Sequence, residues 1–492
     1  MSDRPSSHAP PAVTSFSPRT ERLLLNDLHS GLNPTRVHSV VAVESTVDVQ
    51  EAVRLAAREG RVVSVMGGRH AMGGQQFAAD GLAIDTRPLG GIRDLDTEAG
   101  RITVDAGVQW PELVAYLVSA RSGARRWGIA QKQTGADRLS IGGALAANIH
   151  GRGLTRPPFA ADVESFTLVD AAGDLRRCSR TENAELFSLV IGGYGLLGVV
   201  TEVTLRLVPR HKVRRVVEVI TADHLMAAFD ERIAAGFEYG DFQFALDPAS
   251  PDFLHRGIFS CYEPVADDTP IPAAQRALSA EDWRRLLRYA HADKAAAWRG
   301  YSGHYLATSG QVYWSDTHQL STYIDGYHED LDRELGTVHR CSEIITEVYV
   351  PRSRLTDFLA EAAEDFRRHG VDCVYGTIRL IERDEASFLA WAREPWACTI
   401  FNLHTEHTPA ALGRTAATFR RLIDLAVARS GSYFLTYHKY AARDQVLACY
   451  PRFPEFLRLK DAYDPERRFQ SEWYRHHARM FGLERGSQRP SV

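Results

Sequence analysis

The sequence predicts an α+β fold in two parts, and three observations carry the prediction. At 492 residues the chain can support two or three domains with sizeable cores. Three glycine-rich loops are concentrated before residue 210, where short strands alternate with short helices. After Pro209 the texture changes to strands and amphipathic helices without such loops, which marks a second domain. The expected divisions are an extension over 1–33, a first domain over 34–210, a second over 211–450 and a closing segment over 451–492.

Taken in order, "VHSVVAVEST" is an apolar, β-branched run that reads as strand, and "TVDVQEAVRLAAREG" reads as helix. Thr46 is its expected cap, Val47, Val49, Ala52, Val53 and Ala56 its apolar face, and Gly60 its end. "RVVSVM" is a second strand leading into the first glycine loop. "GLAIDTRPLGGIRDLDTEAGRITVDAGVQW" supplies short strands joined by turns, followed by the helix "PELVAYLVSA" with Pro111 in its first turn. "VESFTLVDAAGDLRRCS" is a hairpin, and "ELFSLVIGGYGLLGVVTEVTLRLVP" passes from helix through glycines into strand. In the second part "AEDWRRLLRYAHADKAAAWRG" is a charged helical insertion. The tail "YPRFPEFLRLKDAYDPERRFQSEWYRHH" reads as helix, turn and aromatic segment.

Composition excludes several classes of partner. Sixty-two acidic against 58 basic residues leave a net charge of −4 with no basic tract, so nucleic acid is not an expected partner. The first eighteen residues are rich in Pro and Ser and lack a signal-peptide core. No later stretch reaches the roughly 18 apolar residues a membrane span needs, so a soluble cytoplasmic protein is expected. Cys178, Cys261, Cys341, Cys373, Cys398 and Cys449 are widely spaced, which suggests neither a zinc motif nor a disulfide framework.

The three loops are "GGRHAMGG", "TGADRLSIGGALAANIHGRG" and "IGGYGLLGVVTEV". One such loop is as readily a plain turn, because Gly-Gly pairs mark turns wherever positive φ is needed. Three in one domain point further. Small residues let backbone N–H groups approach anionic phosphates closely, so together the loops indicate a large nucleotide cofactor. The G-x-G-x-x-G fingerprint is absent.

In this order the loops resemble those of the vanillyl-alcohol oxidase or PCMH-type superfamily of FAD-dependent oxidoreductases. "SIGGALAANIHGRG" and "ELFSLVIGGYGLLGVVTEVTLRLVP" are most similar to its sugar- and polyol-oxidising branch. The resemblance implies a PCMH-type FAD-binding domain of two small α/β subdomains, a substrate domain with a mainly antiparallel sheet covered by helices, and an aromatic tail that returns over the flavin. It assigns FAD to Gly67, Gly68, Arg69, His70, Ala71 and Gly74 of the first loop, which wraps the pyrophosphate. From the second loop it adds Gly135, Ser140, Gly142, Gly143, Asn148, His150 and Gly151. From the third, on the adenine side, it adds Gly193, Gly195, Val199 and Val200. His70 stands where covalent members carry a histidine bonded to the flavin 8α-methyl; the other reading is a hydrogen bond to the pyrophosphate or a nearby carbonyl. A second bond from cysteine is not expected, since Asp137, Arg138 and Leu139 occupy the second loop and Cys178 lies beyond it.

Oxidation of an alcohol by a flavin needs the substrate C–H aimed at N5 and a group that takes the hydroxyl proton. By resemblance Lys439, in "YFLTYHKYAARD", is the leading candidate, with His438 and Tyr437 as alternatives for the same role. A lysine beside N1 would stabilise the anionic reduced flavin, whereas a solvated lysine at a strand end would do nothing. Glu347, in "IITEVYVPRS", shares a strand face with Ile345 and Tyr349. A carboxylate there is costly unless paired, which favours hydroxyl or amine recognition over a solvated edge position. Arg379 is its expected partner from a neighbouring strand, in a substrate site or as a plain salt bridge. Asn148 offers an amide to a flavin carbonyl, and His150 is expected beside the flavin. His404, and the stretch holding Trp314, His318, Tyr323 and Tyr327, could line a sugar pocket or form a packed loop. Asp316, His318 and His328 match no familiar ligand spacing, so no metal is expected.

The function expected is oxidation of a hydroxyl on a sugar, polyol or glycosylated metabolite, with O2 or another electron acceptor. An aminoglycoside primary hydroxyl is one candidate, because Glu347 could pair with amines. The alternatives are a flavin enzyme acting on an isoprenoid-linked sugar or a C=C bond, with the insertion at 280–299 as a lid, and a flavin-binding protein without turnover.

Overall fold

The computed structural model describes residues 23–120, 126–321 and 326–483. Most of the N-terminal extension, and Tyr323, lie outside them.

The first helix, Thr46–Arg58, starts one residue earlier than its sequence suggests. Ser45 is the cap: its Oγ accepts from the Asp48 N–H, while the Asp48 carboxylate accepts from the Ser45 N–H. Val47 is consequently turned to solvent, 59% exposed, and the buried face begins at Val49. This helix covers a three-stranded parallel sheet in the order Ser39–Ala42, Leu82–Asp85, Val63–Met66. A second small unit is a five-stranded antiparallel sheet. Its order is Leu175–Ser179, Val163–Val169, Val199–Arg206, Arg101–Asp105, Ile92–Asp96, with the hairpin at one edge.

Beyond Pro209 eight strands form one antiparallel sheet. The order is Val312–Trp314, Lys212–Thr221, Arg256–Val265, Tyr239–Phe244, Cys373–Ile381, Trp396–Glu406, Cys341–Pro351, Ser432–Tyr433. Its two faces differ, as strand alternation requires. Phe244, Ile344, Val348, Ile378, Phe401 and Leu403 pack under the helices Leu355–His369 and Pro409–Val427 in a continuous core. The opposite face carries Asp241 and Gln243, then Glu343, Ile345 and Glu347, then Thr377 and Arg379, and finally Ile400 and Asn402. Polar side chains on the inner face of a central sheet must face a ligand space or one another, because burial alone is costly for them.

The charged insertion is two helices, Ala280–Ala292 and Lys294–Ala307, broken at Asp293, whose carboxylate accepts from the Ala296 N–H to cap the second. The tail forms helices Phe453–Tyr463 and Glu472–Met480. Between them the chain adds to the parallel sheet: Val63 N–H donates to the Arg468 carbonyl at 2.7 Å, and Gln470 N–H to the Val63 carbonyl at 2.9 Å. No helix among the described residues is long and apolar enough to cross a membrane. All six cysteines are buried and unpaired.

Candidate active site

A cavity of about 700 Å³ lies between the glycine loops and the polar face of the eight-stranded sheet. The first loop contributes Gly67, Gly68, Arg69, His70 and Ala71. The second contributes Gly135, Ser140, Gly142, Gly143 and His150, and the third Gly193, Gly195 and Val200. The glycines are needed for close approach. A Cβ on Gly67 would stand 2.2 Å from the Ser140 side-chain Oγ, and one on Gly68 2.4 Å from the Arg138 backbone carbonyl, so the first loop lies directly against the second. The result is a concave wall of small residues, which fits the pyrophosphate and rings of a dinucleotide.

Four of the expected cofactor residues are not on that wall. Asn148 does not offer its amide to a flavin: its Nδ2 donates to Asp384 Oδ2 at 2.8 Å and its Oδ1 accepts from the Ala160 N–H at 2.9 Å. It ends the helix Ile141–Ala147 in the left-handed conformation, with φ +49°. Gly151 is drawn against Gln131, Val199 belongs to the core under the first helix, and Gly74 backs onto Asn33 and Trp473.

His70 lines the cavity. Its Nδ1 is 2.9 Å from His29 Nε2, and burial, with His29 beside it, pulls its pKa down to about 3. The ring is neutral over the working pH range. Cys178 sits inside the hairpin, where burial pushes its thiol up to about 12.

The sheet wall centres on Glu347, 2% exposed. Its Oε1 meets His150 Nε2 at 2.7 Å and accepts from the Tyr349 hydroxyl at 2.5 Å and the Cys398 thiol at 3.2 Å. Among the described residues its Oε2 accepts only from Tyr437, at 3.2 Å. Burial pushes the Glu347 carboxyl up, but His150, Tyr349 and Cys398 outweigh it and hold it below the usual range. The Gly151 carbonyl lies 3.0 Å from His150 Nδ1, so that nitrogen carries a proton. The neutral ring would then point a lone pair at a carboxylate oxygen, and a proton belongs in that 2.7 Å gap.

Arg379 is not the partner of Glu347. The strand Trp396–Glu406 runs between theirs, and the guanidinium reaches Thr134 Oγ1 instead, leaving its buried Nε without a partner among the described residues. Lys439 and His438 lie outside the cavity wall, unlike Tyr437. Lys439 Nζ donates to the Gly73 carbonyl at 3.3 Å beneath the first loop; burial draws it below the usual lysine range, against the pull of Glu472. His438 is buried against Tyr440, its rings 5.2 Å apart, and burial lowers it to about 4.

Of the lower-ranked candidates, His318 and Tyr327 line the cavity, while Trp314 stacks under Arg210. Asp316 pairs with Arg210 at 2.7 Å and not with either histidine. Sequence reasoning missed Arg152, Arg215 and Glu343. Arg152 lies 3.6 Å from Asp241, and Arg215 donates to the Tyr262 hydroxyl at 2.8 Å. Glu343 was findable, being four residues before Glu347 on the same strand face. The insertion is part of the wall, contributing Trp283, Leu287, Tyr301 and Tyr305.

Residues 37–179 match the family described as FAD binding domain. An uncharacterised oxidoreductase of the fasciation locus of Rhodococcoides fascians is 36% identical over 174 residues, 35% of this chain and 38% of that protein. L-gulonolactone oxidase of Bos taurus is 30% identical over 167 residues, 34% of this chain and 36% of its own length. The chain therefore spans less than two fifths of either relative in these alignments. An L-gulono-1,4-lactone dehydrogenase of Mycobacterium tuberculosis aligns over 89% of this chain and 95% of its own, at 22% identity. The chain therefore carries a PCMH-type FAD-binding domain, and the relatives it is similar to are consistent with the sugar-oxidising branch.

Proposed function

We propose that the protein oxidises a hydroxyl group of a sugar, polyol or sugar-derived acid, with residues 34–210 holding FAD and 211–450 holding the substrate. The observation that carries this reading is the carboxylate of Glu347 on the sheet wall paired with the imidazole of His150 from the second glycine loop, both lining the cavity. FAD held by residues 34–210 would supply the hydride acceptor, with O2 or another electron acceptor as its oxidant. The residues of this chain supply the proton acceptor. Glu347 Oε2, the less satisfied of its two oxygens, takes the hydroxyl proton, while His150 and Tyr349 hold the carboxylate through Oε1. His70, neutral and at the first loop, is the residue through which the flavin would be bonded covalently. Six buried thiols suit a reducing cytoplasm.

The substrate end of the cavity has more cation than anion available. Arg152, Arg215 and Arg379 line it, and among the described residues only Asp241 pairs with any of them, 3.6 Å from Arg152. Glu347 and Glu343 are occupied by histidines. This lining suits a neutral or acidic polyhydroxylated substrate better than an aminoglycoside, whose amines would meet three guanidiniums and carboxylates already engaged by histidine or arginine. The aromatic rings of Tyr301, Tyr305 and Tyr313 supply flat surface for a sugar ring.

The test is anaerobic bleaching of the flavin absorbance with aldonic and uronic acids, their lactones, polyols, neutral sugars and aminoglycosides. Bleaching by hydroxylated acids or polyols supports the reading. Bleaching by aminoglycosides alone would overturn the substrate assignment, and no bleaching by any alcohol would return the protein to the non-catalytic alternative.

A further inference from the structure

A second cluster lies on the strand of Glu347, and flavin chemistry does not use it. Glu343 is 6% exposed and borders the cavity. Its Oε1 is 2.9 Å from His291 Nε2 and 3.4 Å from His404 Nδ1, and its Oε2 is 2.8 Å from His328 Nδ1 and accepts from the Tyr327 hydroxyl at 2.5 Å. Three separate elements build the group. His404 is the direct cross-strand neighbour of Glu343, His291 comes from the last turn of Ala280–Ala292, and His328 comes from the helix Tyr327–Leu335.

The chemistry of the donors is informative. His291 Nδ1 lies 2.8 Å from the Leu287 carbonyl, an acceptor only, so Nδ1 carries the proton and a neutral ring presents its Nε2 lone pair to Glu343. Two acceptors at 2.9 Å repel unless a cation sits between them, either a proton on Nε2, as at His150, or a metal ion. The second hydrogen bond of His291, from its remote nitrogen to a backbone carbonyl, is the arrangement that orients metal-ligating histidines. The ligand atoms of His291, Glu343 and His404 all lie within 4.8 Å of one another. Bonds of 2.0–2.1 Å in a tetrahedral site put neighbouring ligand atoms about 3.3 Å apart, close to the two nitrogen to oxygen separations seen here. Two imidazoles and one carboxylate, without thiolate, suit zinc and its first-row neighbours and leave a fourth position open.

We propose that His291 Nε2, His404 Nδ1 and Glu343 Oε1 bind one divalent transition-metal ion of the zinc class, with His328 and Tyr327 orienting the carboxylate through Oε2. The open position of such an ion would be taken by water or by an oxygen of a molecule in the cavity that Glu343 borders.

The test uses the full chain loaded with FAD, stripped with a chelator and dialysed against excess Zn2+, with metal and flavin measured on the same sample. About one equivalent of zinc per chain is expected, with affinity lowered at least about tenfold in His291→Ala/His404→Ala at unchanged flavin content. Glu343→Gln should weaken binding in the same direction. Zinc uptake that is absent in the wild type, or equal in the wild type and the double variant, would overturn the site and leave the cluster held together by protons. If the variants fail to retain flavin, Co2+ added to the stripped wild-type protein decides. Tetrahedral absorption beyond the flavin band supports the site, and its absence overturns it.

Discussion

Glu343 and Glu347 stand four residues apart on one strand, both buried, both facing the cavity and both against histidine, yet their surroundings differ in kind. Around Glu347 a phenol, a thiol and a single imidazole converge on Oε1, and a second phenol, Tyr437, donates to Oε2. Around Glu343 three imidazoles divide between the two oxygens. Cys398 adds to the contrast: burial raises its thiol far above its ordinary range, so it stays protonated and serves Glu347 as a hydrogen-bond donor. The first environment places and accepts a proton, and the second places lone pairs. One strand can thus carry two chemistries because its neighbours, and not its own sequence, decide what each carboxylate meets.

The comparison breaks most visibly at Glu347. Glu347→Gln keeps the shape and the contacts of Oε1 but removes the proton acceptor, so the rate of substrate-driven flavin reduction should fall by about 10²- to 10⁴-fold at normal flavin content. The wild-type profile should also carry the sign of a depressed carboxyl. Glu347 is held below the usual carboxylate range, so its ionised form, and its contribution to stability, are complete above the unfolded-state value of about 4.3 and disappear as pH falls through the folded-state value. kcat/KM for flavin reduction should therefore be flat on the acid side of neutrality and fall only at strongly acidic pH, and the glutamine variant should lack that limb. A wild-type limb near pH 6 to 7 would instead point to an imidazole as the working base.

At the other end of the cavity, His70→Ala tests whether the cofactor is bonded. In the wild type, colour should stay with the acid-precipitated pellet; in the variant, it should move completely to the supernatant. Wild-type colour in the supernatant would reduce His70 to a neutral neighbour of His29, and the fold would stand.

Much of the cofactor half was legible in the sequence because glycine loops are local: the residues that make the wall are contiguous, and their purpose shows in their size. Thirteen of the residues assigned to FAD by resemblance do line the cavity. Four others lie off the wall, and Asn148 shows why a motif does not reveal it. Asn148 sits inside the motif, but its amide is spent on Asp384, 236 positions away, and no pattern local to the motif reveals that. The substrate half was harder because its site is assembled across strands. The identity of the strand between Arg379 and Glu347 is a matter of sheet order, which alternation alone does not supply. His291 and Glu343 are likewise brought together only when the insertion folds onto the sheet.

Asn148 offers a measurement of that misreading. Alanine there would lose the bonds to Asp384 and to the Ala160 N–H and would have to adopt φ near +49°, for a combined cost of about 2–4 kcal/mol. The denaturation midpoint should drop while the flavin spectrum of the folded protein is unchanged. A shifted spectrum at unchanged stability would put the amide back beside the cofactor.

Lys439 should show the smallest effect. A lysine that worked on the flavin would need its ammonium in the cavity, whereas Nζ here holds the Gly73 carbonyl from behind the first loop and balances Glu472. A single hydrogen bond from a charged donor to a partly buried carbonyl is worth about 1.5–3 kcal/mol at most, and a partly exposed one less. Lys439→Met keeps the apolar stem, so stability should fall by about 1 kcal/mol and the rate of flavin reduction by less than about tenfold, through a loosened loop and not through lost chemistry. A loss of a hundredfold or more at full flavin occupancy would mean that the first loop moves when substrate binds and brings Lys439 into the cavity, and the proton acceptor would then have to be sought there and not at Glu347.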